Sequence, residues 1–240
     1  ALADLKDEEK APASPLPAPA KHDSALLALV RKPVLSVRLA VMCAAWFSAA
    51  LGYYGLTIHS NILGGSIYQA SLYGGLAEIP PKFALYFMIG HPALGRRLTI
   101  TMLLLLGGIS CILGLALKST HWDQAAVLAG AVGRGSWGAA FGGVYLYATE
   151  LFPTRLRSGA LGFLSSTARV GSMIAPVVAD YAASTSMLAF SVPNILAAGL
   201  ITLTLPETRE VAMPDDAEDM RPTKRPSSGD FEELLLYKTS

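Results

Sequence analysis

LTITMLLLLGGISCILGLAL, residues 98–117, decides the fold. These 20 residues carry no charged side chain. As a helix they reach about 30 Å, the thickness of bilayer hydrocarbon. Two further uncharged apolar runs, 39–58 and 187–205, are 20 and 19 residues long. Three more segments, 66–89, 125–149 and 158–183, have the same reach with few charges. Six such runs exceed what a globular core needs. The pattern predicts an all-α membrane protein with six transmembrane helices over about 39–58, 66–89, 98–117, 125–149, 158–183 and 187–205.

Composition agrees. Of 240 residues, 52% are apolar and 15% charged, against about 25% charged in a typical soluble domain. The mean hydropathy is +0.43. These values exclude a disordered chain, a collagen-like repeat and a disulfide scaffold. Lys plus Arg number 19 and Asp plus Glu 18, a net charge of +1, so no basic surplus points to nucleic acid. Cys43 and Cys111 fall inside spans and read as reduced packing residues. His59, His91 and His121 lie at span ends or in loops and His22 in the linker, all expected to play surface roles. The sequence has no phosphate loop, metal-ligand spacing or nucleophile constellation. It is therefore expected not to be an enzyme and to need neither cofactor nor metal.

Residues 1–36 form a linker, with APASPLPAPAK at 11–21 expected to be extended and solvated. The opening at Ala1, with no Met and no signal-like segment, reads as the interior of something longer. Residues 37–208 make up the bundle, and 209–240 a polar, disordered tail. Within the tail, 231–237 is a candidate short interfacial helix, and Ser227 and Ser228 are candidate phosphorylation sites. Basic residues orient the bundle. Arg31, Lys32 and Arg38 precede span one. Arg96 and Arg97 lie between spans two and three, and Arg155 and Arg157 between spans four and five. Arg209, Arg221, Lys224, Arg225 and Lys238 follow span six. The remaining loops, 59–65, 118–124 and 184–186, hold only Lys118. All basic-rich segments fall on one side, so both termini are expected to be cytoplasmic.

Ionisable residues inside a bilayer cost roughly 2.5 to 3.5 kcal/mol each on insertion scales. Five occur well inside the spans: Glu78, Lys82, Arg134, Arg169 and Asp180. They are either ion pairs that hold helices together or a polar pathway through a bundle. Glu78 and Lys82 are four apart, share a helical face with Ser71 and Gly75, and can pair. Arg134, Phe141 and Tyr145, with Trp137 beside them, form a cationic and aromatic stripe on span four. Opposite lie Ala131, Gly135, Ala139 and Gly143, a small-residue face suited to close helix packing. Ser165, Arg169, Pro176 and Asp180 share a face of span five, and Pro176 is a candidate kink. Span one carries Trp46 and Tyr53 on one face, with Tyr54 and Gly55 adjacent. If Glu78 pairs with Lys82 and Asp180 sits near the outer mouth, Arg134 and Arg169 remain. That surplus favours a flat organic anion, which Arg grips with a planar fork of donors.

Several segments are familiar. YATELFPTRLR at 147–157, with SGALGFLSSTARVGSMIAP after it, resembles the tenth loop and eleventh helix of solute carrier family 22, the organic cation and anion transporters. FSAALGYYGL at 47–56 is similar to the family's seventh helix. GLAEIPPKFAL with ALGRR resembles its eighth helix and following loop, and LPETRE at 205–210 the end of its twelfth. The matches run in order over about 25–216. The resemblance implies helices seven to twelve, the C-terminal half of a major facilitator fold, with a missing N-terminal six-helix half as partner and the substrate between the halves. It implies a plasma-membrane location.

Arg169, Lys82 and Arg134 match basic positions of the anion-transporting members. Tyr53, Tyr54, Phe141 and Tyr145 match their aromatic pocket. The resemblance also implies a cytoplasmic gate network of Glu150, Arg155, Arg157, Arg96 and Arg97, the alternative for Glu150 with Arg155 or Arg157 being plain membrane-interface charges. Pro92 and Ala93 replace the usual acidic-basic pair before LGRR. The expected function is transport of small organic anions by alternating access, Arg169 and Lys82 holding the anionic group. Arg134 is either a third contact or a packing charge. The alternatives are a truncated or diverged non-transporting protein of regulatory or receptor-like type, and a cation carrier using Glu78 and Asp180.

Overall fold

The computed structural model describes residues 29, 31–58, 67–181 and 183–209. Expectations for residues 1–28, for His59 and for the tail beyond Arg209 lie outside them, whereas helix already begins at Pro33, inside the stretch 1–36 expected as linker. Six helices occupy the described residues: α1 Pro33–Ile58, α2 Ile67–Gly90, α3 Gly95–Ser119, α4 Asp123–Leu151, α5 Thr154–Ala179 and α6 Ala183–Thr204.

Local chemistry explains their ends. Pro33 opens α1 at the position where a missing N–H costs nothing. Phe152, held extended (φ −106°, ψ 140°) ahead of Pro153, separates α4 from α5. The α3–α4 turn is a Schellman cap: Trp122 N–H bonds the Leu117 carbonyl at 3.1 Å and His121 N–H the Lys118 carbonyl at 3.2 Å. His121 takes the left-handed conformation (φ 64°) that this cap requires. The Ser186 hydroxyl donates to the Val178 carbonyl at 2.9 Å and closes the end of α5.

Helices α1 and α4 form the centre. α1 packs against α4, α5 and α6, and α4 against α1, α2 and α3. α2 leans chiefly on α4 and α5 chiefly on α1, while α3 sits between α4 and α6. Four helices are long and apolar enough to cross a membrane: α1, α3, α5 and the stretch Ser184–Thr204 of α6. α2 and α4, at 24 and 29 residues, have the length but not that apolarity. Glu78, Lys82 and two prolines dilute α2, and Arg134 with several glycines dilutes α4.

Close packing relies on small residues facing large rings. Trp137 is fully buried, its ring over Gly52 of α1 and Gly107 of α3. This differs from the expected stripe with Arg134, Phe141 and Tyr145. Trp137 lies three residues from Arg134, at the flank of that stripe, and its ring enters the hollow that the two glycines leave. The small-residue face of α4 is buried, with Gly135 against the α2 backbone at Ala77 and Gly143 against Leu85 and Ile100.

Overpacking a filled site costs about 1 to 3 kcal/mol. Gly107→Val, whose branches would collide with the Trp137 indole, is expected to lower the thermal midpoint of detergent-solubilised protein. Gly162→Ala, where an added Cβ meets nothing within 4 Å, should leave it unchanged or raise it. Equal midpoints for the two variants would refute this account of the core.

Candidate functional site

The helices bring one acidic side chain under three donors. Glu78 of α2 receives Lys82 from its own helix, with Nζ 2.7 Å from Oε2. It receives Arg134 from α4, with Nη2 3.0 Å from Oε1. The Tyr53 hydroxyl of α1 donates to the same Oε1 at 3.2 Å. The Glu78–Lys82 pair is the one expected from i, i+4 spacing; the convergence of Arg134 and Tyr53 comes from packing. Gly74, one turn before Glu78, makes room: a Cβ there would lie 2.6 Å from the Arg134 guanidinium. The Glu78 and Arg134 side chains keep 14% and 11% of their surface exposed, whereas Lys82 keeps 56%.

Aromatic rings on α1 and α4 form two groups, one of which, Tyr53 with Tyr54, touches this cluster. Trp46 is fully buried and stacks near Tyr145 (centroids 4.1 Å apart) and Phe141 (5.4 Å). Phe141 and Tyr145 meet edge to face at 5.4 Å, and Tyr53 meets Tyr54 in the same way at 5.3 Å. Tyr54 and Tyr145 are exposed; Tyr53 and Phe141 are half-buried. Trp46 was legible as sharing a face with Tyr53 but not as the ring that Phe141 and Tyr145 rest on.

The structure does not bring Arg169 into the Glu78 cluster. Arg169 is exposed on α5, and its guanidinium has no hydrogen-bond or ion-pair partner among the described residues. Asp180 is exposed at the C-terminal cap of α5, three turns from Arg169. No group of three His, Cys, Asp or Glu side chains suited to a metal occurs among the described residues.

A second charged cluster joins three connections at one end of the bundle. The Arg96 guanidinium holds Glu150 of α4, with Nε 3.1 Å from both carboxylate oxygens and Nη2 3.1 Å from Oε1. Thr208 also donates its hydroxyl to Glu150, at 2.6 Å. The Arg96 guanidinium thus supplies a basic partner for Glu150 from the first turn of α3. Arg155 is exposed at the start of α5, and Arg157 reaches Thr154 at 3.5 Å.

Glu207, which no residue-level reading singled out, caps α3. Its oxygens accept the N–H groups of Arg96 at 2.8 Å and Arg97 at 3.0 Å, and Arg97 Nη1 donates to the Leu205 carbonyl at 3.1 Å. A carboxylate suits a helix N-terminus, where N–H groups lack partners and the dipole is positive. Gly95 (φ 66°) clears the space: a Cβ there would lie 2.5 Å from that carboxylate. The signal in the sequence was the acid of LPETRE itself, but nothing local says which helix it caps.

Losing such a cap costs about 1 kcal/mol, with up to roughly 2 in partly buried geometry. Glu207→Ala is therefore expected to speed hydrogen exchange of the Arg96 and Arg97 amides by about five- to thirtyfold, with little change at Leu113. Unchanged exchange at these two amides would refute the cap.

No family model matches the chain. Curated relatives do. Solute carrier family 22 member 15 of Xenopus tropicalis is 34% identical over 207 residues, covering 83% of this chain and 39% of the relative. Member 12 of Homo sapiens is 31% identical over 216 residues, covering 88% and 38%. Member 6 of Rattus norvegicus is 30% identical over 208 residues, covering 85% and 37%. The chain thus spans under two fifths of the length of the curated relatives it matches. The relatives are solute carriers and not enzymes. One family recurs over more than four fifths of this sequence, at 30% identity or above, and the chain belongs to solute carrier family 22, a family of membrane transporters.

Proposed function

We propose that this chain is the C-terminal six-helix half of a carrier that moves small organic anions across the membrane by alternating access. The observation that carries the reading is the state of Glu78. Both of its oxygens are taken, by Lys82 on one side and by Arg134 and Tyr53 on the other. The acid is therefore not available to hold a cation, while Arg169 stands exposed with no partner among the described residues. The charge balance within the bundle favours an anionic substrate.

In this reading α2 and α4 complete the set of six spans within 37–208. Their charges face each other and so escape the full cost of lipid exposure. Residues 1–36 and 209–240 lie in the cytoplasm, on the basic-rich side. An N-terminal six-helix half covers the substrate face, at the plasma membrane. Arg169 and Lys82 hold the anionic group, and Arg134 is a packing charge. Tyr53, Tyr54, Phe141 and Tyr145 line the aromatic part of the site. Arg96, Arg97, Glu150, Arg155 and Arg157 belong to the cytoplasmic gate, with Arg96 and Glu150 at its centre.

Expression from the complete reading frame, with uptake of benzoate and of tetraethylammonium measured side by side, tests this. Benzoate uptake is expected to dominate. A charged hydrogen bond is worth about 1.5 to 3 kcal/mol, so Arg169→Ala should lower benzoate uptake about ten- to a hundredfold at unchanged surface level. Benzoate uptake that survives Arg169→Asp would overturn the assignment.

A further inference from the structure

We propose that Glu78 is a built-in counter-anion which an incoming organic anion displaces from Lys82, so that Glu78 sets the anion affinity of the site. This rests on the reading above and deepens it. The two ion pairs of Glu78 are unlike. Arg134 is enclosed: its side chain is 11% exposed, and Gly74 leaves its guanidinium no slack. Tyr53 reinforces that side by donating to the same oxygen, Oε1. Lys82 is 56% exposed and touches only the other oxygen, Oε2, at 2.7 Å. An ammonium on a four-carbon stem is a movable point charge, whereas a guanidinium fork is fixed by its plane. A ligand carboxylate that reaches this surface can therefore take Lys82 and leave the Arg134–Glu78 pair standing.

The helix between the two residues is weak. Pro80 and Pro81 lie between Glu78 and Lys82, and neither can donate the backbone bond that would reach one turn back. The Lys82–Glu78 pair is thus a side-chain strap across two missing rungs. A ligand that takes Lys82 unfastens the strap where α2 bends most easily.

Replacing the acid by its amide separates competition from packing. In Glu78→Gln the remaining carbonyl oxygen can still accept from Arg134 and Tyr53, but the amide cannot neutralise Lys82. In protein expressed from its complete reading frame, Glu78→Gln is expected to lower the KM for benzoate about fivefold, the ratio that a partly screened ion pair supplies. Maximal uptake per carrier at the surface should not rise. The drop should vanish when Lys82→Ala is also present. Should the unpaired Arg134 keep Glu78→Gln from the surface, Glu78→Gln with Arg134→Gln removes both buried charges and is expected to show the same drop. A benzoate KM unchanged or raised by either variant, with Lys82→Ala alone raising it, overturns the competition and leaves Lys82 a binding residue. No benzoate uptake by the unaltered protein, or no effect of Lys82→Ala, overturns the functional reading and this proposal with it.

Discussion

A carboxylate placed among apolar helices must be matched by positive charge within reach, and the arrangement of α1, α2 and α4 follows from that constraint at Glu78. Arg134 supplies the match from α4 and Tyr53 a further hydrogen bond from α1. Removing one partner of this largely enclosed pair leaves the other charge behind without its match. The pair therefore fixes the register of α2 on α4. Gly74 and Gly135, one passing the guanidinium and the other meeting the α2 backbone at Ala77, are small because the helices must come that close. The rings of Trp46, Phe141 and Tyr145 then line the same side of α1 and α4.

The far end of the bundle is tied by a different device with the same logic. Arg96 is used twice, its guanidinium on Glu150 and its backbone N–H on Glu207. Thr208 closes the loop by donating to Glu150. Three connections that are distant in sequence, at the start of α3, the end of α4 and the end of α6, are joined through two carboxylates. Any rearrangement that opens this end must break charged bonds to both.

The helices were legible because hydrocarbon thickness imposes a length that apolar runs record directly. The Glu78–Lys82 pair was legible because both partners ride one helix at fixed spacing. The arrival of Arg134 at Glu78 was not, since the register of α2 against α4 is written in neither segment alone. Trp137 shows the same limit. Its position on α4 suggests the stripe with Phe141, but its ring goes where glycines on α1 and α3 leave a hollow. Likewise Glu150 receives Arg96 from the first turn of α3, 54 residues away in the chain. Long-range partners depend on folded geometry, and only local spacing can be read from a single chain.

In the proposed carrier this bundle is one of two parts, and a second six-helix half completes its charged, aromatic face. The most direct test is the size of the native protein, detected in cell membranes with an antibody against the segment 215–238. A two-part carrier gives a band at roughly twice the 25.3 kDa of this chain or above. A native band near 25 kDa, with no second half associated with it, would contradict it.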